Sequence, residues 1–480
     1  MIVLLLLPAC LALAIWLAPS ERVRPWLVPL GASIYLAAAQ FVVWGDIPAD
    51  QLSAFDGWLQ LDPVGKLVLA YLSAFFCLCA WYVPGYLALR AERPNRVFCA
   101  NLLLALAMMT LVVLSHHLGL MWIGMEATTL ASAPLLYFNH NARSLEATWK
   151  YLIVGSVGIA LALLGSFFLA YSAIHAGLES TLLFDDLVAL GPQLSPPWLR
   201  AAFVLLFVGY GAKMGLAPMH TWKPDAYGEA PGVVGALLAG GVTSCAFLAV
   251  LRVQQICAGS SQADVTREMM VGMGLLSMAV AGVFMVGQRD FKRMLAYSSV
   301  EHMGILVLGI GLGAAGVYGA LLHLFNNGFT KCILFLSAGN IHRAYGSKSV
   351  DVVVGALRRV PLSGALFLTG FLAITGAPPF GPFLSEFTIA NAAFSTGNFW
   401  AGGAYLALLA VVFVGMGTTV LGVVQGNPPA GDERGEFRDS WRTTAPLVVA
   451  LGLILMLGLY IPAPLESLLR SAAAAMEAPR

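Results

Sequence analysis

The sequence predicts an all-α integral membrane protein with about 14 transmembrane helices, which include two inverted five-helix repeats. Three observations predict this fold class. The 480 residues are 59% hydrophobic and only 11% charged, with a mean hydropathy of +0.81, a composition foreign to soluble globular domains. Apolar runs of about 20 residues, the length that crosses the hydrocarbon core, recur along the whole chain. Two of those runs, one in each half, are expected to be broken near an ionisable residue.

The predicted spans follow one another with short connections. They lie near 1–19, 25–45, 63–89, 97–115, 117–138, 147–175, 198–219, 231–255, 268–288, 293–313, 315–341, 362–396, 400–425 and 443–463. The run 362–396 is too long for one straight helix and contains TGAPPFGP, so we expect a discontinuous twelfth helix. The seventh run ends in GYGAKMGLAPMHTW, where Pro218 predicts a second discontinuous helix. The first run lacks a basic n-region and is expected to be retained as a helix.

The distribution of basic residues predicts the orientation. If the N-terminus faces outward, the inner loops carry eighteen Lys and Arg residues, Lys223 and Lys292 among them, and the outer side carries six, including Arg252. Because cytoplasmic loops are enriched in such residues, both termini are expected on the periplasmic side of a bacterial inner membrane. The acidic outer loop 46–62 is expected to form a small hairpin. The net charge of +1 gives no indication of a nucleic-acid partner.

Four parts are predicted along the chain. They are residues 1–96 with three helices, 97–255 as the first five-helix repeat, 268–425 as the second, inverted repeat, and 426–480 as an inner loop with helix fourteen. About sixteen Ala-rich residues follow the last span, and we expect this tail to be too short for another element. The seven cysteines fall mostly inside apolar runs and are interpreted as core residues.

Ionisable residues inside the spans are the candidate functional residues, since a charge at mid-membrane costs roughly 3 kcal/mol or more. They are Glu126, Lys213, Glu301, His302, His323, Lys331 and Glu386. Lys150 and Lys292 begin spans on the inner side, where a lysine can extend to water. The alternative is that these groups only bond neighbouring helices together. For two carboxylates and two lysines at mid-depth we favour a functional role.

Spacing and breaks indicate what these residues do. His323, Asn327 and Lys331 stand at i, i+4 and i+8, a polar stripe that has to face the bundle interior or a hydrated path. Paired broken helices are typical of transporters built from inverted repeats. Burial favours the neutral amine of a lysine and a nearby carboxylate favours its ammonium form, so Glu126 is expected to load or unload a proton at Lys213.

Two further expectations concern the break and the cofactors. Pro218 is expected to open the backbone so that water and His220 reach the neighbourhood of Lys213. The sequence carries no dinucleotide or phosphate fingerprint and no Cys/His cluster for a metal or iron–sulfur centre. We therefore expect no redox chemistry on this chain.

Four stretches resemble a known family. GYGAKMGLAPMHTWKPDAYGEAP, DFKRMLAYSSVEHMG, HLFNNGFTKCILFL and GAPPFGPFLSEF are similar to the antiporter-like subunits of respiratory complex I, of multisubunit cation/proton antiporters and of group 4 nickel–iron hydrogenases. The likeness covers roughly residues 60–425. EATTLASAPLLYF and LEATWKYLIVGSVGIALALLG look most like component F of the hydrogenase-4 type.

The resemblance implies a role for most of the candidate residues. Glu126 matches the glutamate of the fifth helix and Lys213 its lysine partner in the seventh. Lys150 matches the lysine of the sixth helix, while His323 and Lys331 match a central relay in the eleventh. Glu386 matches the terminal residue towards the outside. Members of this family pump protons or exchange cations for protons. They are driven by a neighbouring redox module that carries iron–sulfur, nickel–iron or other centres and sits beside further membrane-arm subunits.

The sequence departs from the family pattern in the eighth helix. Complex I relatives usually have a lysine or histidine there, whereas LLAGGVTSCAFLAVLR offers only Thr243 and Ser244. We therefore assign Ser244 a secondary role, together with His220, His302 and Glu301. The histidine of the usual motif after the seventh-helix break is replaced by Tyr227.

Four functions stay open at this point. The leading one is a proton-translocating membrane subunit of a redox-driven complex of hydrogenase-4, formate-hydrogenlyase or complex I type. The second is a subunit of a cation/proton antiporter without redox partners, and the transported ion is then H⁺ or Na⁺. The third is a proton-coupled membrane subunit of an inorganic-carbon uptake complex with a soluble zinc protein as partner. The last is a structural subunit without pumping, against which Glu126, Lys213 and Glu386 argue.

Overall fold

The computed structural model describes residues 1–428 and 437–477. The middle of the predicted inner loop, 429–436 with Arg434, and the last three residues with Arg480 lie outside the described residues. Within the described part the chain is almost entirely helical, as the composition predicts. The fold class of a helical membrane protein is therefore confirmed.

The first half of the chain contains the helices up to residue 258. They are α1 (Ile2–Leu17), α2 (Arg24–Trp44), α3 (Pro63–Ala88), α4 (Arg96–Leu114), α5 (Leu118–Leu136), α6 (Ala142–His175), α7 (Phe184–Leu190), α8 (Pro196–Met214), α9 (Trp222–Glu229), α10 (Gly232–Ala236) and α11 (Thr243–Ala258). A π-helical turn at Leu237–Val242 joins α10 to α11, so these two form one span. The acidic loop 46–62 forms the expected hairpin, with β1 (Ser53–Ala54) antiparallel to β2 (Leu59–Gln60).

The second half has a similar series of helices. They are α12 (Ala263–Met285), α13 (Phe291–Gly311), α14 (Ala314–Tyr345), α15 (Ala356–Arg359), α16 (Pro361–Ile374), α17 (Gly381–Ser395), α18 (Phe399–Val424), α19 (Trp441–Leu459) and α20 (Ala463–Ala475). Side-chain caps fix several starts: Asp290 accepts from the backbone N–H of Lys292 and Arg293, and Asn141 forms a capping box with Ser144.

Each predicted span is matched by one helix or by two consecutive helices. Among the described residues, nine helices are long and apolar enough to cross a membrane, and two shorter apolar helices are Ile2–Leu17 and Pro361–Ile374. The second broken span falls below that length because it is divided into α16, with 14 residues, and α17, with 15. The protein is thus a multi-pass membrane protein, and the count of fourteen stays a prediction.

Both expected breaks are present. The seventh span is interrupted at 215–221 between α8 and α9, and the twelfth at 375–380 between α16 and α17. A glycine with positive φ ends the half-helix before each break, Gly215 at +77° and Gly376 at +72°. Only glycine adopts this left-handed conformation at little cost, so these residues permit the chain to leave the helix.

The two halves pack their helices in the same order. The long helices α6, with 34 residues, and α14, with 32, take equivalent places. α6 packs on α5 and α8, as α14 packs on α13 and α16. This order is what a repeat requires, while the inverted relation between the halves and the boundaries 97–255 and 268–425 stay predictions.

The C-terminal tail contradicts one expectation. It is not too short for an element, because α20 covers thirteen of its residues and packs on α3 and α14. Leu469, Ala472 and Ala473 form its buried face at i, i+3 and i+4, and Arg470 on the opposite side pairs with Glu466. The alanine-rich stretch is only weakly hydrophobic, so it was not recognised as an element, although alanine strongly favours the helix.

A buried ion pair lies at the end of the bundle that is predicted to face outward. Arg252, which we had expected on the outer surface, lies inside α11 and binds Asp62 with both guanidinium Nη atoms, at 2.6 and 2.7 Å. The two side chains are 1% and 2% exposed. Asp62 also caps α3 by accepting from the backbone N–H of Gly65. One carboxylate therefore holds two distant parts of the chain together.

We predict that Asp62→Asn lowers the stability by about 3–5 kcal/mol, because it leaves a buried guanidinium without its countercharge. The measurement is thermal unfolding of the purified protein in detergent. Asp264→Asn is the matched control, since Asp264 is 93% exposed and 3.9 Å from Arg267, and exposed pairs contribute about 1 kcal/mol or less. Equal effects of the two substitutions would contradict the role of the buried pair.

The same pair makes a prediction about pH. Burial raises the pKa of Asp62, but the Arg252 guanidinium overrides it and holds that pKa well below its usual range. The pKa of Asp62 is lower in the folded state than the value of about 3.9 in the unfolded state. The ion pair therefore contributes its full stability at any pH above that unfolded value, and the contribution is lost as the pH falls through the folded pKa. We therefore expect the effect of Asp62→Asn to be unchanged between about pH 5 and pH 8.

Candidate functional site

Glu126 and Lys213 are joined through a hydroxyl. Lys213 is fully buried near the end of α8, and its Nζ donates to Thr129 Oγ1 on α5. Thr129 Oγ1 in turn lies 3.4 Å from Glu126 Oε2, one helical turn away. The lysine and the glutamate do not form a direct ion pair among the described residues. The Thr129 hydroxyl therefore lies between the two ionisable groups.

The surroundings of Lys213 are close-packed. Its ammonium lies 5.1 Å from the centre of the Tyr151 ring, and a β-carbon at Gly155 would approach its Nζ to 2.9 Å. Glu126, by contrast, is half-buried and accepts at 2.7 Å from Ser156, whose side chain is exposed on the flank of the bundle. The carboxylate therefore reaches the outer surface of the isolated chain, while the amine stays inside.

Lys150 lies at the mouth of a polar cavity of about 510 Å³, which we call the vestibule. It is lined by Arg143, Glu146, Ala147, Lys150, Asp225, Glu229, Gln288, Arg289, Asp290, Arg293, Ser347, Lys348 and Ser349. The Lys150 ammonium is 2.7 Å from both Glu146 and Asp225, and Asp225 also binds Arg293 at 2.5 Å. The Lys150 and Glu146 side chains are 45% and 65% exposed, so the vestibule is open to solvent at the end of the bundle predicted to face inward.

His220 takes a different place from the one expected. Its ring lies 6.4 Å from Phe284 and 6.2 Å from Tyr297, on α12 and α13. The side chain that covers the break beside Lys213 is that of Lys223. A β-carbon at Gly215 would collide with the Lys223 chain and approach its Nζ to 2.8 Å. The break is thus filled by a lysine and not opened towards a histidine.

The assignment of Lys223 and Lys292 to inner loops was wrong. Both are buried, at 0% and 1% exposed. Lys292 donates to the carbonyl oxygens of Gly228 and Ala230, at 3.0 and 2.6 Å, and so satisfies the end of α9. Lys223 donates to Ser299 Oγ on α13 at 3.1 Å. Sequence alone did not indicate the burial of Lys223, because WKPDAYGE has the polarity of a loop.

In the second half, Lys331 of α14 contacts the face of α13 that carries Glu301. Lys331 Nζ donates to Ser298 Oγ at 2.7 Å. Glu301 follows Ser298 by three residues on the same face of α13. Glu301 is 2% exposed, and its Oε2 has no hydrogen-bond partner among the described residues, although it lies 3.7 Å from His302 Nε2. This carboxylate therefore has room for a proton or for water.

The two histidines and Glu386 form a second cluster. His302 Nδ1 lies 3.0 Å from His323 Nε2, and His323 Nδ1 lies 2.9 Å from Ser385 Oγ. Glu386 Oε1 is 4.0 Å from His302 Nδ1 and has no hydrogen-bond partner among the described residues. The other oxygen of Glu386 lies against Gly376, in the second break. The cluster thus leads from α13 through α14 to the break before α17.

The same cluster could be considered for a metal ion. One ligand atom each of His302, His323 and Glu386 lie within 4.8 Å of one another. The two imidazole nitrogens are also at hydrogen-bond distance, 3.0 Å, so the rings can share a proton. These distances are compatible with a shared proton and with a coordinated cation.

The eighth span contributes no such group. Thr243 Oγ1 donates to the carbonyl of Ala239 at 2.7 Å, and Ser244 Oγ donates to that of Gly240 at 2.6 Å. Both hydroxyls therefore bond to their own helix. Ser244 is thus bonded to its own helix, and its secondary role stays a prediction.

Comparison with known proteins gives the chain its relatives. The profile of a family described as NADH:quinone oxidoreductase/Mrp antiporter, transmembrane, matches residues 115–413. The chain is 31% identical to a hydrogenase-4 component F homolog of Methylacidiphilum infernorum, over 92% of both chains. It is 33% identical to NADH-quinone oxidoreductase subunit N of Desulforudis audaxviator, over 68% of this chain and 65% of that one.

Solved structures share the fold. A chain of an archaeal membrane-bound sulfane sulfur reductase superposes with a TM-score of 0.88 at 21% identity and covers 100% of this chain and 98% of its own. A chain of the Mrp complex from Dietzia sp. gives 0.85 at 21% identity, with 99% and 97% covered. A chain of respiratory complex I from Thermus thermophilus gives 0.77 at 25% identity, with 95% and 97% covered.

We predict that Gly376→Ala lowers the apparent melting temperature in detergent. A left-handed non-glycine residue costs roughly 1–2 kcal/mol, and the added methyl group meets the Glu386 carboxylate. Gly422→Ala is the control, because nothing lies within 4 Å of its β-carbon and alanine favours the helix there. A melting temperature of Gly376→Ala at or above that of the unmodified protein would contradict the placement of Glu386.

Proposed function

Because this chain belongs to the NADH:quinone oxidoreductase/Mrp antiporter family of transmembrane subunits, we propose that it moves protons along its row of buried ionisable groups. It is an antiporter-like membrane subunit of the complex I, hydrogenase-4 and Mrp type. One observation carries the proposal. Glu126, Lys213, Lys331, His323 and Glu386 sit in the bundle with hydroxyl or imidazole contacts and without direct ion pairs among themselves. Such groups can gain and lose protons without breaking a structural salt bridge.

The proposed path starts at the vestibule. Water in it reaches Lys150 and Asp225, from which a proton passes towards Lys213 inside the bundle. Lys150 itself is 45% exposed and paired with two carboxylates, which suits a group that collects protons more than one that stores them. The orientation proposed from the basic residues places the vestibule on the inner side and both termini on the outer side.

The switch in the proposal is the Glu126–Thr129–Lys213 connection. An ammonium at Lys213 is favoured while Glu126 is ionised, and it is disfavoured when Glu126 is neutralised. A change at the half-buried glutamate therefore alters the proton occupancy of the fully buried lysine. Thr129 transmits the change because it contacts both groups.

The exit of the path lies at the second break. The His302–His323 contact connects Lys331 and Glu301 to the neighbourhood of Glu386. A histidine pair passes a proton by accepting at one nitrogen and donating at the other. Glu386 lies against the irregular segment 375–380, and irregular backbone at this depth lines cavities or is buried in protein. Release towards the outside is proposed from there.

The proposed partners are other membrane subunits and a peripheral redox module. Glu126 and Ser156 are accessible on the flank of the isolated chain, and a carboxylate at membrane depth is not stable against lipid. A neighbouring membrane subunit that covers this flank would shield the carboxylate from lipid and so remove the free-energy cost of exposing it there. The 31% identity with a hydrogenase-4 component F homolog over 92% of both chains supports a redox-driven complex of that type, with its redox centres on partner chains.

A cation/proton antiporter is the second candidate. The matched family includes the Mrp antiporters, and a chain of the Mrp complex shares the fold over 99% of this chain. The second candidate exchanges another cation for the proton, whereas the first moves protons alone. Sodium-dependent proton movement by the purified complex would favour this second function.

We predict that Glu126→Gln and Lys213→Ala each abolish proton translocation, with a loss of at least about tenfold. The complex that carries this chain is purified through a tag on it and reconstituted into vesicles. A valinomycin-induced potassium potential drives the protons, and a pH-sensitive dye reports them. Glu179→Gln in an outer loop is the control and should behave as the unmodified chain. Full translocation by either variant would contradict the proposed role of the pair.

A further inference from the structure

The eighth span leaves a gap in the row of ionisable groups. Lys213 lies in the first half and Lys331 in the second, while Thr243 and Ser244 between them are bonded to their own helix. A hydroxyl can relay a proton, but it cannot hold the charge of one. Some other side chain has to connect the halves if protons travel along one row.

Lys223 occupies this gap. It is 0% exposed, and its Nζ lies 3.1 Å from Ser299 Oγ and 3.4 Å from the Ser299 carbonyl oxygen. No carboxylate pairs with it among the described residues, and its polar contacts are the two to Ser299. A buried cation that serves only the structure is normally paired. Its isolation indicates that this amine gains and loses its charge.

On one side, Lys223 connects to Lys331 through neighbouring hydroxyls. Lys223 donates to Ser299 from α9, and Lys331 donates to Ser298 at 2.7 Å from α14. Both serines belong to α13, which packs between α9 and α14. Two lysines thus approach adjacent residues of one helix from its two flanks.

On the other side, Lys223 connects to the end of α8 that carries Lys213. The alkyl chain of Lys223 lies over Gly215, two residues after Lys213. Aromatic side chains lie between the two lysines. The Lys213 ammonium lies over the ring of Tyr151, which contacts Trp222 at 5.1 Å between ring centres. Trp222 contacts Tyr227 at 5.8 Å, and the Lys223 ammonium lies 5.8 Å from the Tyr227 ring. Aromatic faces favour a cation without holding it in an ion pair.

We infer that Lys223 holds the translocated proton between Lys213 and Lys331, in the place that the eighth span leaves without an ionisable group. The inference rests on the proposed function. The ammonium of Lys213 gives its proton, directly or through water, to the neutral amine of Lys223. Lys223 becomes the ammonium and Lys213 the amine. Lys223 then passes the proton by way of the Ser299 and Ser298 hydroxyls to the neutral amine of Lys331, so charge and protons balance at each step.

Lys292 shows what a structural lysine looks like in the same region. Its ammonium is fixed by two carbonyl oxygens at the end of α9, at 3.0 and 2.6 Å. Lys223 has one hydroxyl contact and one long carbonyl contact instead. Lys292 is therefore a fixed cation that satisfies a helix end, whereas the amine of Lys223 can exchange its proton.

The test uses the complex reconstituted into vesicles, with proton uptake driven by a potassium potential. Lys223→Met keeps the packing but removes the amine, and Lys223→Arg keeps the cation but does not release its proton. We expect both to lower proton uptake at least tenfold while the complex assembles normally. Lys66→Met, at the outer end of α3, is the matched control and should leave uptake unchanged. Lys223→Gln is a second neutral variant with a polar head.

The outcomes separate the inference from the proposed function. If Lys223→Met retains more than half of the uptake, the lysine only packs, and if Lys223→Arg does so, it is only a fixed cation; either result overturns the inference. If the unmodified complex moves no protons, the proposed function itself fails. Uptake by the unmodified complex together with loss in both variants supports Lys223 as the connecting group.

Discussion

The structure depends on one constraint: an ionisable side chain at membrane depth cannot face lipid. The helices that carry such groups are therefore the inner ones. In the most apolar part of α13, which carries Glu301 and His302, 94% of the residues are buried, whereas in α19, which carries none of the candidate residues, 39% are. Glu126 is the exception, because it reaches the flank beside Ser156. That exception is where the isolated chain is incomplete and where a neighbouring subunit is proposed.

The same constraint governs the two breaks. Each interrupts a span at a glycine with positive φ, and each glycine is covered by a charged side chain from the half-helix that follows. Lys223 covers Gly215 and Glu386 covers Gly376. The first break thus carries an amine and the second a carboxylate. Irregular backbone and ionisable groups are thus brought to the same places, and irregular backbone at this depth lines cavities or is buried in protein.

Much of this could be predicted from sequence, because hydrophobic length and proline are local signals. The runs 198–219 and 362–396 indicated both breaks, and the mid-span charges were visible as single polar residues in apolar runs. What failed depended on tertiary packing. WKPDAYGE has the composition of a loop, yet it re-enters the bundle as α9 and buries Lys223. Arg252 and the alanine-rich α20 were misjudged for the same reason, since only their partners, Asp62 and the α3–α14 surface, bury them.

The central claim is that the charged groups act in series along one path. A double-substitution cycle of Lys213→Ala and Lys331→Ala in the reconstituted complex tests it most directly, with the rate of potential-driven proton uptake as the readout. Groups in series are not additive, so each single variant should lose nearly all uptake and the double variant should lose no more. If each single variant instead keeps about half of the uptake and only the double variant loses it, the two halves conduct independently and the account is contradicted.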